Sequence, residues 1–169
     1  MDSEAFKTCI ENHGKAVYSF CRYLTRERFD ADDLYQQTFL VAFEKGEISE
    51  VGNPRSYLIT IAANLWNNMK RKKGWRAKRA NIVYLQDEEM NQLADDRISV
   101  EDAMIKNEEA EAVRKLVDRL PDKLRIVLLM YYTEEMKLEE IATALQIPVG
   151  TVKSRMNQAK KRIKERMEL

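Results

Sequence analysis

Leu58, Ile61, Ala62, Leu65 and Met69 recur at intervals of three and four, so the stretch after Pro54 is predicted to be a helix with one apolar side on a core. Pro54 suits the start of that helix. Upstream, Leu34, Thr38, Val41 and Ala42, flanked by Phe39 and Phe43, predict a second long helix. It is entered through Asp30, Asp32 and Asp33, acids that complement the positive end of a helix dipole. Gly46 and the Gly52-Asn53-Pro54 turn bracket a loop between these two helices. A further helix over about Glu4 to Leu24 completes a small bundle with one core, expected over residues 1–79.

From about Asn81 to Met104 the periodicity lapses while acids, Asn and Gln accumulate, the pattern of a flexible tether. The expected division is residues 1–79, an acidic linker over 80–106, and a second domain over 107–169. In the second domain Val113, Leu116, Val117 and Leu120 mark one helix, Pro121 interrupts, and Leu124, Val127, Leu128 and Tyr131 mark the next. Leu138, Ile141, Ala142 and Leu145 describe a short helix, Gln146 to Gly150 a tight connection, and Val152, Met156, Ala159 and Ile163 a final helix. The expected fold class is all-α, in two small helical domains.

Composition agrees: 44% hydrophobic and 34% charged residues, with five Gly and three Pro in 169 residues, suit a soluble, helix-rich chain. No apolar run reaches the roughly 18 residues of a membrane span, and Met1-Asp2-Ser3-Glu4 lacks the character of a signal peptide, so a cytoplasmic location is expected. Cys9 and Cys21 have no CxxC spacing, and His13 is the single histidine; ordinary reduced thiols, no metal site and no cofactor are expected.

The net charge is only +1, yet it is distributed in blocks. Lys70, Arg71, Lys72, Lys73, Arg76, Lys78 and Arg79 follow one another without an acid, Asp87 to Asp102 is rich in acids, and the last helix carries Lys153, Arg155, Lys160, Lys161, Arg162, Lys164 and Arg166. Such segregation marks polyanion-binding surfaces, although a basic helix face is also what a merely solvated helix presents.

The short helix, the turn and the basic helix together make a helix-turn-helix, whose second helix lies in the DNA major groove. With Val152, Met156, Ala159 and Ile163 inward, the 100° step puts Lys153, Ser154, Asn157, Gln158 and Lys161 outward. Ala142 is small where the two helices approach, and Ile147 and Val152 plug the angle between them. Lys donates to guanine acceptors, Asn and Gln pair with adenine, and Ser uses either edge; Arg155, Lys160 and Lys161 suit phosphates. The bland alternative is a bundle whose last helix happens to be basic.

Two sets of stretches, one in each half of the chain, bear a family resemblance. Leu120-Pro-Asp-Lys-Leu-Arg-Ile-Val-Leu-Leu129, Leu138-Glu-Glu-Ile-Ala142 and Ile147-Pro-Val-Gly-Thr-Val-Lys-Ser-Arg155 resemble region 4 of sigma factors. Asp30-Ala-Asp-Asp-Leu-Tyr-Gln-Gln-Thr-Phe-Leu-Val-Ala42 resembles region 2.2, and Pro54-Arg-Ser-Tyr-Leu-Ile-Thr-Ile-Ala-Ala-Asn64 with its basic sequel resembles regions 2.3 and 2.4. The chain is thus similar to the small extracytoplasmic-function (ECF, group IV) sigma factors of the sigma-70 family.

The resemblance implies an alternative sigma factor that binds core RNA polymerase and directs promoter-specific initiation. Region 2 would engage the beta-prime clamp helices through Asp33, Leu34, Gln36, Gln37, Phe39, Leu40 and Phe43. It would read and melt the minus-ten element with Asn53, Arg55, Asn64, Asn67, Asn68, Lys70, Arg71, Lys72 and Lys73. Region 4 would meet the beta flap and read the minus-thirty-five element with Thr151, Lys153, Ser154, Arg155, Asn157, Gln158 and Lys161. An anti-sigma factor, able to hold the protein at the membrane, is the implied regulator, and the linker would thread the polymerase channel or remain solvated. Trp66 and Trp75 each fit either stacking on DNA or sealing a core edge, and for Trp66, one residue off the apolar row, the two readings are equal. Lys137 stands where a capping Ser or Thr is usual, and Asn157 and Gln158 where an aromatic and an arginine are often seen.

Two other functions compete with this one. A stand-alone helix-turn-helix regulator would bind a palindrome as a dimer, without polymerase. An enzyme would use Asp30, Asp32 and Asp33 for acid-base or metal chemistry, but no nucleophile or phosphate loop accompanies them. The expectation is a protein that is not an enzyme, on a chain with no room for further regulatory domains.

Overall fold

The computed structural model describes residues 3–47, 52–79 and 108–167, with side chains in the third helix as far as Lys72; the expected linker lies outside these residues. They form seven helices and no strand: α1 (Ser3–Thr25), α2 (Arg28–Lys45), α3 (Pro54–Arg79), α4 (Glu108–Asp118), α5 (Asp122–Tyr132), α6 (Leu138–Leu145) and α7 (Val149–Met167). The chain divides into two compact units, Met1–Asn91 and Gln92–Leu169. The fold is all-α in two helical domains.

In the first unit α1, α2 and α3 pack pairwise into a three-helix bundle. The seam of α1 is Gly14, Val17, Cys21 and Leu24, spaced three, four and three, with Phe20 beside it. Gly14 permits a close approach: a Cβ there would stand 3.0 Å from the hydroxyl oxygen of Tyr35 on α2, so a larger residue would push the Tyr35 side chain aside. At its C-terminus α1 stops at Arg26, whose φ of 62° breaks the helix while its N–H still donates to Arg22 O at 3.0 Å. The next helix therefore starts at Arg28, two residues before the acids expected to open it, and only Asp30 falls in the first turn. Gly46, at φ 67°, ends α2 by donating its N–H to Ala42 O. The third helix opens on an asparagine cap, with Ser56 N–H donating to Asn53 Oδ1 at 3.1 Å and Pro54 in the following position.

In the second unit α7 packs on α4, α5 and α6. The core is built from Leu124, Val127, Met130, Ile141, Val152, Met156 and Ala159. The buried Arg125 guanidinium donates to Leu120 O at 2.8 Å and pairs with Asp122, so this charge is neutralised within α5's own first turns. The α6–α7 turn is a Schellman motif: Gln146 sits at φ 57°, its N–H donates to Thr143 O, and Ile147 N–H donates to Ala142 O at 3.0 Å. The connection is Gln146 to Pro148, shorter than expected, because Val149 and Gly150 already belong to α7.

Candidate functional site

The two rows of α7 follow from its packing. Val152, Met156 and Ala159 are buried and Ile163 is half-buried, while Lys153, Ser154, Asn157, Gln158 and Lys161 are exposed. Thr151 and Arg155 are half-buried at the flanks of the outward row. Gln158 Nε2 donates to Ser154 Oγ at 3.2 Å, so these two side chains, one turn apart, present themselves as a unit. Lys160 is placed differently from its expected phosphate role. Its ammonium lies 5.7 Å from the centroid of the Tyr132 ring, and this cation–π contact turns it toward α5.

A groove of about 600 Å³ runs beside that contact, between α4, α5 and the end of α7. Its floor is Val113, Val117, Leu128, Leu129, Ile163 and Met167, and Lys160 and Lys164 stand on its lining. The sequence reading missed it, because it assigned the apolar positions of α4 and α7 to the core. The spacing of apolar residues held no signal for it, since Val113 falls on the same row as the core positions and only the fold leaves it partly uncovered.

On α3 the inner side carries Leu58, Ile59, Ala62, Ala63 and Trp66. Trp66 is only 4% exposed, which settles its double reading in favour of the core. By the 100° step, Asn64, Asn67, Asn68 and Arg71 share the opposite side of α3 with Tyr57 and Thr60, and all are exposed or half-buried. The four expected phosphate ligands do not form one row. Arg71 lies on the asparagine side, Lys72 is exposed on one flank, Lys70 leans over the Trp66 ring at 5.7 Å on the other, and the Lys73 side chain is outside the described residues, as is Trp75.

Asn53 and Arg55 precede this face and are exposed. The Asn53 carbonyl oxygen is committed to capping α3, which leaves its amide nitrogen for other contacts. Tyr57 was missed by the sequence reading, although it lies seven residues before Asn64, two turns away on the same side. Its hydroxyl donates to Glu47 at 3.5 Å, and desolvation, followed by the Glu47 carboxylate, pushes the phenol pKa up.

On α2 the expected docking residues separate into two sets. Asp33, Gln36, Gln37, Leu40 and Phe43 are exposed, whereas Leu34 and Phe39 are buried in the bundle. Leu34 and Phe39 therefore hold the face from within, because a side chain enclosed by α1 and α3 has no surface left for a partner. The Phe6 ring of α1 packs edge-on against Phe43 at 4.9 Å and Phe39 at 6.1 Å, which fixes Phe43 in place. Asp32 accepts a hydrogen bond of 2.6 Å from the Tyr18 hydroxyl, so it ties α2 to α1.

No helix among the described residues is long and apolar enough to cross a membrane, and no group of three His, Cys, Asp or Glu among them could hold a metal ion.

Comparison with known proteins places these faces in context. Residues 9–76 match the family model described as Sigma-70 region 2, and residues 110–163 match Sigma-70, region 4. The chain is similar to the ECF RNA polymerase sigma factor SigW of Bacillus subtilis, at 27% identity over 98% of this chain and 90% of that protein. It is also similar to the ECF RNA polymerase sigma-E factor of Haemophilus influenzae, at 27% identity over 99% of this chain and 89% of that protein. Among solved structures, the sigma factor RpoE in complex with the anti-sigma factor NepR from Bartonella quintana matches with a TM-score of 0.78 at 22% identity, covering 98% of each chain. CnrH in complex with the cytosolic domain of CnrY matches with a TM-score of 0.60 at 19% identity, over 99% of this chain and 90% of that one. Both structural likenesses are of fold.

Proposed function

This chain belongs to the sigma-70 family, among its ECF sigma factors, and directs RNA polymerase to promoters; we propose that α2 docks on the polymerase, α3 opens the minus-ten element and α7 reads the minus-thirty-five element. The observation that carries this reading is the exposed row Lys153, Ser154, Asn157, Gln158 and Lys161 on a helix whose other side is locked into a helix-turn-helix. In the major groove that row offers ammonium donors to guanine and amides to adenine, with Thr151 and Arg155 at its flanks toward phosphate. The Gln158–Ser154 hydrogen bond orients the amide before DNA arrives, which lowers the entropy lost on contact.

Opening the minus-ten element means extruding a base, which costs a few kcal/mol and is offset by a pocket that stacks and hydrogen-bonds it. Asn64, Asn67 and Asn68 supply the amides, Tyr57 an aromatic face beside them, and Arg55, Arg71 and Lys72 the charge for neighbouring phosphates. Lys70 and Lys73 join them in the sequence-based assignment. Asn53 acts mainly by fixing the start of α3.

Asp33, Gln36, Gln37, Leu40 and Phe43 form the surface for the beta-prime clamp helices. The apolar groove of the second unit, with its two lysines, suits a helix of the beta flap carrying apolar and acidic residues. A domain of residues 1–79, a linker over 80–106 and a domain of 107–169 would let the two DNA-reading helices reach separate promoter elements. An anti-sigma factor is the proposed regulator, by analogy with the complexes of NepR and CnrY with their own sigma factors. The site of action is the cytoplasm, with the anti-sigma factor able to hold the chain at the membrane, and the protein works by binding, without turnover of its own.

Reconstituted transcription tests the reading. Core polymerase plus this chain is expected to start at discrete promoters that core alone ignores. The double variant Lys153→Ala, Ser154→Ala is expected to lose discrimination at minus-thirty-five while still joining core. Tight palindrome binding by the free chain, with no start-site selection after core is added, would replace the sigma assignment by that of a stand-alone regulator.

A further inference from the structure

Helix α2 is apolar on two opposite sides. Ala31, Leu34, Thr38 and Ala42 form its buried row, while Phe29, Leu40 and Phe43 stand in solvent at 76%, 50% and 42% exposure. At 100° per residue, Phe29 and Leu40 lie within about 20° of each other around the axis, with Phe43 about 40° to the other side of Phe29. Phe29 and Leu40 are separated by ~16 Å along the helix, three turns. Asp33, Gln36, Gln37 and Glu44, all exposed, occupy the same side. Single exposed apolar residues are ordinary on protein surfaces, but three large ones aligned on one helix face, opposite the buried face, describe a helix made to be covered twice.

Leu40 and Phe43 already belong to the proposed polymerase-docking face, and Phe43 is held ready by Phe6. Phe29, the second residue of α2, has no role in that face as read from sequence, and a ring three-quarters exposed adds little to its own bundle. We propose that Phe29 is a further anchor of the docking face, covered by the same partner helix that covers Leu40 and Phe43, and that this helix carries basic side chains opposite Asp33 and Glu44. The proposal rests on the reading of α2 as the polymerase-docking helix.

Two observations select this occupant. The charged residues on this side of α2 are all acids, the exposed Asp33 and Glu44 and the half-buried Asp32, so a second copy of the same face would add only like charge to the contact, whereas a cationic helix is complementary. Anchors on one side of three helical turns also match a helix laid along α2, since a loop would meet one turn. A docking face running only from Asp33 to Phe43 would leave the first turn of α2 to solvent; including Phe29 lengthens it to the start of the helix and fixes the axial register of the partner.

The test is a titration of full-length labelled chain with core polymerase. Phe29→Ala is expected to weaken binding about tenfold, and Phe29→Leu less, since a truncated aromatic anchor is among the costlier losses at an interface. The melting temperature of the free chain should stay unchanged, because the ring is outside the bundle. The companion variant Asp33→Lys with Leu40→Ala separates two failures. If it weakens binding while Phe29→Ala stays within twofold of the unaltered chain, Phe29 lies outside the interface and the anchor is refuted with the docking reading intact. If neither variant weakens binding, the docking reading itself is wrong. A loss with Phe29→Ala that comes with a melting temperature several degrees lower would make the ring a bundle residue and overturn the proposal too.

Discussion

At the scale of single residues, two asparagines of the same type do different work because of where α3 begins. Asn53 spends its carbonyl on a backbone N–H of the first turn, so Asn53→Ala is expected to cost about 1 kcal/mol of stability and Asn53→Ser much less. Asn64 sits eleven residues further along, half-buried on the outward side. Asn64→Ala should leave thermal unfolding unchanged but slow open-complex formation, read by permanganate reactivity of the minus-ten strand; normal opening would remove it from the pocket. Cys21 is a contrasting case, since burial pushes its thiol from 9.0 up to about 12. Its folded state binds the proton more tightly than the unfolded chain, so the associated stability is complete below pH 9 and is lost as pH rises from there toward 12. Alkylation of Cys21 by iodoacetamide at pH 8, followed by mass spectrometry, should proceed only as fast as the bundle opens.

At the scale of the element, helix ends decide more than helix middles. A lysine has no acceptor, so Lys137 cannot cap α6 with its side chain; what replaces the missing cap is Glu140, whose carboxylate accepts from Lys137 N–H at 3.3 Å. Lys137→Ser would add the absent half of a capping box and is expected to stabilise the second unit by about 1 kcal/mol, measured by urea unfolding. The sharpness of the following turn comes from Gln146, held in the left-handed region where glycine is the usual choice. That turn is what sets α7 at its angle to α6, and through it the direction of the outward row.

At the scale of the whole molecule, charge is segregated where it is not abundant. A net charge of +1 gives weak attraction for duplex DNA, yet α7 and the end of α3 are locally basic. Free chain is therefore expected to bind a promoter fragment poorly and with little sequence preference in a gel shift. Holoenzyme should bind it specifically, with an affinity that falls steeply between 50 and 200 mM salt, on the order of a hundredfold or more. Specific nanomolar binding by the free chain would contradict the idea that the polymerase holds the two readers in place.

Much of this was legible in the sequence because helical periodicity is a local property. Val152, Met156 and Ala159 had to be inward once α7 was a helix, and Lys153, Ser154, Asn157, Gln158 and Lys161 had to be outward, as found. Motif order gave the family for the same reason. Packing decided what local spacing could not: Leu34 and Phe39 are enclosed while Leu40 and Phe43 are not, Trp66 belongs to the core, and Lys160 leans on Tyr132. The apolar groove of the second unit likewise exists only where three helices leave space between them. A residue's place around its own helix axis is fixed by a 100° rotation, whereas whether that side meets another helix or water depends on chain segments far away in sequence.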